Sequence, residues 1–371
     1  MQFSEIIGQG ETKNRLIRSV REGKISHAQL FAGAEGVGKL PLAIAYAQYV
    51  CCTNRGENDS CGVCPSCVKF GKLAHPDLHF VFPVISSSVS DDFIKEWREI
   101  VTEKKYFTYN QWLAKLNAEN KQALIYSKES EAVLRKLSMK SYESEYKVMI
   151  IWQPERMYHD LGFGNKLLKI LEEPPERTLF VLVSENPDAL MITIQSRTQR
   201  INIPAIAESD LTRCITERYY LSADEANNIA RIAGGSYTVA IENIKASDES
   251  RENLARFIEI MRLAYSKNVR GIKQWADATA GIGRERQKNF LAYAQRMIRE
   301  NFMLNFHHSE LNYMTNAEQS FAQKFSPFIN ERNIFDIMEE FALAERHIEQ
   351  NVNAKMVFFD LSLKFIVLLK R

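Results

Sequence analysis

Between Leu30 and Tyr46 an apolar run, three glycines, a lysine and a second apolar run follow one another: Leu30-Phe31-Ala32, Gly33-Ala34-Glu35-Gly36-Val37-Gly38-Lys39-Leu40, then Leu42 to Tyr46. Gly33, Gly36, Gly38 and Lys39 have the types and spacing of a phosphate-binding loop. In a working loop, backbone N–H groups wrap the phosphates, the lysine reaches the terminal ones, and a following Ser or Thr hydroxyl ligates Mg²⁺. Position 40 is leucine, which has no oxygen to offer. The loop geometry is therefore expected, with ATP binding doubtful and hydrolysis missing one of its parts.

A second set of chemical residues comes directly after the helix that follows the loop. Cys52, Cys61, Cys64 and Cys67 stand in the order C-x8-C-x2-C-x2-C. Two successive C-x-x-C steps put three thiolates on one side of a tight knuckle, and a tetrahedral Zn²⁺ takes its fourth from Cys52. Four thiolates close the coordination sphere, so such a metal is structural. Cys51 is a rival for the fourth place, and a set of reduced, unliganded thiols is the plainer reading. His75 and His79 are not needed as ligands, and the isolated Cys214 reads as a buried apolar residue.

Two further positions bear on phosphate chemistry. The strand-like Val148-Met149-Ile150-Ile151 ends in Trp152-Gln153, where a nucleotide hydrolase carries an acidic residue for Mg²⁺ and a glutamate that polarises water. Glu155, beyond Pro154, substitutes only if the chain folds back. Arg197, in Ser196-Arg197-Thr198, reads on local sequence alone as a strand-end arginine in a surface ion pair.

The elements that position these residues alternate. Strands are expected at residues 27–31, within the proline-bounded stretch 75–83, and at 148–151, 178–183 and 201–204, with helical patterns between them, including Lys166 to Glu173 before the double proline Pro174-Pro175. That alternation argues for a parallel sheet covered on both faces. Past Pro204 the strands stop. A capping box at Ser222-Ala223-Asp224-Glu225 opens a helix that Gly234-Gly235 ends, and from Glu252 onward the periodicity is helical throughout. The last helix, Met356 to Leu369, is apolar almost all round, as expected of a helix deep in a core or against partner chains. The aromatic, amphipathic stretch 93–120 carries no assignable chemistry.

Composition sets the outer limits. In 371 residues, Lys plus Arg is 48 against Asp plus Glu at 46, with 45% hydrophobic residues. This is ordinary globular composition with room for two or three domains. The near balance of charge demands no strongly basic face, so any contact with nucleic acid is local or shared with partners. No secretory signal or membrane-spanning run is recognisable, and a cytoplasmic location is expected.

Taken together, the segments resemble the AAA+ subunits of the bacterial sliding-clamp loader over nearly the whole chain. The resemblance rests on Phe3-Ser4-Glu5-Ile6-Ile7-Gly8-Gln9, on His27-Ala28 before the loop, and on the four-cysteine module. Leu171-Glu172-Glu173-Pro174-Pro175 and Ser196-Arg197 fall in the same family order. It implies an α/β plus all-α protein: an AAA+ P-loop domain at 1–204 with a zinc module at about 51–70, a helical lid at 205–247, and a helical collar at 248–371 that joins other subunits. It also places Thr238 where hydrolysing subunits carry a phosphate-sensing arginine. Leu40, Trp152, Gln153 and Thr238 together imply a non-hydrolysing member. Arg197 matches the arginine of the family's Ser-Arg-Cys motif, which reaches a neighbour's γ-phosphate as an arginine finger in trans, although Thr198 stands in place of the cysteine. The implied partners are gamma/tau ATPase subunits, the delta subunit, the sliding clamp and, through the complex, primer-template DNA. Two other readings stay open: an active gamma-type ATPase, and a zinc-bearing nucleic-acid-binding module, which the near-neutral charge disfavours.

Overall fold

The structure, a computed structural model, describes residues 1–157, 162–305, 314 and 316–370. Five apolar runs become the strands of one sheet: β1 (Ala28–Ala32), β2 (Leu78–Val81), β3 (Lys147–Trp152), β4 (Thr178–Ser184) and β5 (Gln199–Asn202). The order is β2-β3-β4-β1-β5, and every pairing is parallel, with Leu30 opposite Leu182 and Arg200, and Ile150 opposite Phe80 and Val181. Every residue of β1, β3 and β4 is buried, which is why these strands read as unbroken apolar runs.

Strand periodicity sorts those residues onto two faces. The helices are α1 (Gly10–Arg21), α2 (Lys39–Cys51), α3 (Pro65–Gly71), α4 (Ile94–Glu103), α5 (Tyr109–Lys115), α6 (Glu129–Ser138), α7 (Gly162–Glu172) and α8 (Ile192–Gln195). On one face, Phe31, Phe80, Ile150 and Val181 pack with Leu16 and Ile17 of α1, the apolar residues of α2, Trp97 of α4 and Trp112 of α5. On the other, Leu30, Met149, Ile151 and Phe180 pack with Val133 of α6, Phe163 and Leu167 of α7 and Ile194 of α8. The loop after β1 emerges beside the carboxyl ends of β4 and, one strand further, β3, where open α/β sheets hold their ligands.

Past β5 the described elements are helical. α9 (Glu208–Tyr219) precedes α10 (Ala223–Ala233), which opens on the Ser222–Glu225 capping box and ends at Gly234 with φ +55°. α11 (Tyr237–Tyr265) then runs unbroken past position 247. The chain divides into two compact units, Met1–Asn243 and Ile244–Arg371. The second contains α12 (Val269–Ala280), α13 (Arg284–Leu304), α14 (Asn316–Phe325), α15 (Ile334–Glu349) and α16 (Ala354–Leu368). Its core includes Phe257, Trp275, Phe290, Phe341, Phe358 and Phe365. The apolar last helix buries Val357, Phe358, Leu361 and Phe365 there but leaves Met356 and Val367 exposed. No helix among the described residues is long and apolar enough to cross a membrane.

Candidate functional site

The glycine loop takes the expected shape. Gly36 and Gly38 have φ of +78° and +94°, a region that only glycine enters freely, and Gly38 is the N-cap of α2. Lys39 is 5% exposed, and its Nζ donates to the Ala34 carbonyl and stands 4.0 Å from Glu185 Oε1. Burial pushes the ammonium below its ordinary pKa against the opposing pull of Glu185, Glu155 and Glu35. The same burial pushes the Glu185 carboxyl up. The side chain of Leu40 is buried in the core.

The carboxyl end of β3 holds Trp152 and Gln153, neither of them a carboxylate. Trp152 is buried, with its ring 5.3 Å from those of Trp97 and Phe107. Gln153, at φ +52°, donates from Nε2 to Glu185 Oε2 at 3.1 Å and accepts from Arg156 Nε at 2.6 Å. Glu155 does fold back, but its Oε1 accepts the Glu185 and Asn186 N–H groups at 2.8 and 3.2 Å. It ties two loops together. Thr238 sits against the glycine loop: its hydroxyl is 3.0 Å from Ser236 Oγ, the Tyr237 N–H donates to Gly36 O at 3.0 Å, and a Cβ on Gly36 would collide with both hydroxyls.

Glu185 was not singled out from the sequence. It follows β4 directly, and a charged residue just past a buried parallel strand lines the carboxyl-end crevice. That position is the signal that could have found it.

The four cysteines converge. The sulfurs of Cys52, Cys61, Cys64 and Cys67 all lie within 4.8 Å of one another, with Cys52–Cys61 at 3.6 Å and Cys52–Cys64 and Cys61–Cys67 at 3.9 Å. A tetrahedron with Zn–S bonds of ~2.3 Å has edges of about 3.8 Å, so the set fits such an ion. Backbone N–H groups of Cys61, Cys64 and Cys67 point at Cys52, Cys61 and Cys64 Sγ at 3.3–3.4 Å, the donors that thiolate charge needs. Cys51 points elsewhere, toward the Tyr146 carbonyl at 3.6 Å, and burial pushes its thiol up to about 12. The fourth position is therefore Cys52. His75 accepts the Asp77 N–H on Nδ1, and Cys214 is half-buried rather than fully buried.

Arg197 lies two residues ahead of β5, at the end of the sheet opposite the glycine loop, since Gln199 pairs with Gln29 at the start of β1. It cannot serve this chain's own loop. Its Nη2 pairs with Glu172 Oε1 at 2.5 Å, and Nη1 donates to the Thr193 carbonyl at 3.0 Å. Thr198 turns its hydroxyl inward to the Ile194 carbonyl at 3.1 Å.

Residues 8–207 match the family described as DNA polymerase III, delta subunit. The delta' subunit of DNA polymerase III from Bacillus subtilis is 26% identical over 254 residues, 68% of this chain and 64% of its own length. The delta' subunit of Escherichia coli is 24% identical over 254 residues, 68% and 63%. A gamma/tau subunit from Mycobacterium tuberculosis is 28% identical over 240 residues, 63% of this chain and 35% of its own. The matched part thus spans just under two thirds of the delta' relatives and about a third of the gamma/tau one. Among solved structures, a gamma-subunit-related protein from Thermotoga maritima covers 97% of this chain and 99% of its own at 14% identity and a TM-score of 0.34, too remote to bear on the site.

Proposed function

Because the chain belongs to the DNA polymerase III delta-subunit family, we propose that it is a non-hydrolysing, delta'-type subunit of the clamp loader, working in the cytoplasm within a hetero-oligomer. In this reading the first 204 residues form the AAA+ domain, 205–247 the lid and 248–371 the collar that joins gamma/tau and delta subunits. The complex, rather than this chain alone, opens the sliding clamp and places it on primer-template DNA. Arg197 serves a neighbouring ATPase site as an arginine finger. The residues that hold Zn²⁺ are Cys52, Cys61, Cys64 and Cys67, and the ion's work is to hold the loop after α2.

One observation carries the reading: where Mg²⁺ and an attacking water need oxygens, this chain offers the buried side chain of Leu40, the indole of Trp152 and a Gln153 amide already bonded on both sides. Phosphoryl transfer is stabilised chiefly by positioned charge, and the hydroxyl and acidic pair that would place Mg²⁺ and water are replaced here by Leu40, Trp152 and Gln153. The purified chain is therefore expected to turn over ATP no faster than buffer, with or without Mg²⁺. Turnover above that level that disappears in Lys39→Ala would overturn the proposal in favour of a gamma-type ATPase. Co-purification with the gamma/tau and delta subunits of the same cell tests the assembly, and failure to associate with either counts against it.

A further inference from the structure

The segment 105–107 lies against the glycine loop, and each of its three residues is anchored separately. Lys105 Nζ pairs with Glu5 Oε1 at 3.0 Å. The Tyr106 hydroxyl accepts the Ile7 N–H at 3.0 Å, and its ring stands 4.9 Å from that of Tyr237. Phe107 packs on Trp97 and Trp152. A Cβ on Gly38 would meet Tyr106 Cε1 at 3.0 Å, so the phenol ring rests on the backbone that a phosphate would approach. On the far side Glu185 faces Lys39, a carboxylate standing where the lysine of a working loop meets phosphate.

What remains between these groups is a cavity of about 30 Å³, room for a water or two. Open the segment, and the loop's N–H groups and Lys39 become available. With it in place, the Tyr106 ring lies on Gly38 and the Glu185 carboxylate faces Lys39, the two surfaces that phosphates would approach.

From this geometry we infer that Tyr106 and Phe107, seconded by Glu185, are the residues that exclude nucleotide from the loop: the chain supplies its own occupant. The inference rests on the non-hydrolysing reading and deepens it, because missing metal ligands explain the absence of turnover, whereas a filled pocket forbids binding itself. It also gives the stretch 93–120 a role. Helices α4 and α5 flank the segment: the Trp97 ring of α4 meets Phe107 edge-on at 5.7 Å and is itself met edge-on by Trp112 of α5 at 5.4 Å.

The test is equilibrium binding of a fluorescent ATP analogue to the intact chain, with ATP turnover read in the same samples. The wild-type chain is expected to show no saturable binding, and Lys39 no labelling by an acyl-phosphate ATP probe. The double variant Tyr106→Ala, Phe107→Ala is expected to bind at least about tenfold more tightly, as when a competent state is no longer suppressed, and to lose that binding on adding Lys39→Ala, while hydrolysing nothing. Saturable wild-type binding, or labelling of wild-type Lys39, overturns the inference and needs no variant to fold. A folded double variant that still fails to bind also overturns it. ATP turnover by the wild type would instead sink the non-hydrolysing reading, so the two failures are distinct.

Discussion

Replacing Cys64 with serine is expected to yield a protein without bound metal whose first unit melts roughly 10 °C lower than the parent. The stretch from Cys52 to Cys67 has little core of its own: its one valine, Val63, is 78% exposed. Its order depends on the four sulfurs being held together. A metal bound by them would close a short loop, a constraint on the order of 3 kcal/mol for fifteen or so residues. A change of 1 kcal/mol moves the melting temperature of a unit this size by ~2–4 °C.

The damage is expected to spread to the amino terminus, because the loop clamps it. Asp59 accepts the Phe3 and Ser4 N–H groups, both at 2.9 Å, and Gln2 Nε2 donates to the Ser60 carbonyl at 2.6 Å. Gln48 on α2 joins the same cluster through Ser60 Oγ at 2.9 Å and the amino-terminal nitrogen at 2.7 Å. Hydrogen exchange should therefore rise at residues 1–8 as well as 53–64, and a strong chelator should reproduce both effects in the parent. Parent protein that purifies with no metal, or a Cys64→Ser melt equal to the parent's, rejects the site.

Chemistry encoded by neighbours in sequence was legible before the fold was. The glycine spacing, the C-x2-C-x2-C steps and the oxygen-free Leu40 are local facts, and alternating apolar runs announced the parallel sheet. What was not legible depends on rotation or distance. Cys51 and Cys52 differ only in which way each points. Helix α2 ends at Cys51, and Cys52 leaves it in an extended conformation at φ −70° and ψ 127°, which turns the second sulfur and not the first to the knuckle. The stretch 93–120 showed no chemistry because its partners, Ile7, Gly38 and Trp152, lie far away in sequence. Glu185 was hidden for the same reason: its meaning comes from Lys39, on the neighbouring strand's loop.

Alanine at position 197 is expected to leave the assembled complex intact while lowering ATP turnover at the neighbouring site it serves by ~10³, the scale of a lost arginine finger. The position argues for action on another chain. Arg197 is at the opposite end of the sheet from this chain's own Lys39, and that loop is itself built without metal ligands. In the free chain both ends of the guanidinium are taken, Nη2 by Glu172 and Nη1 by the Thr193 carbonyl. The ion pair is half-exposed at both partners, and such pairs contribute only about 0–1 kcal/mol, so Glu172 would not hold Arg197 back from a neighbour's phosphates. Glu172→Gln frees the guanidinium and is expected to leave turnover unchanged or slightly raised, and Arg197→Lys, a point charge without the planar fork, should fall between Arg and Ala. Turnover and subunit association are to be measured together on the reconstituted complex. Full turnover by an intact Arg197→Ala complex would reduce Arg197 to a surface ion-pair residue, and a complex that falls apart would assign it to assembly instead.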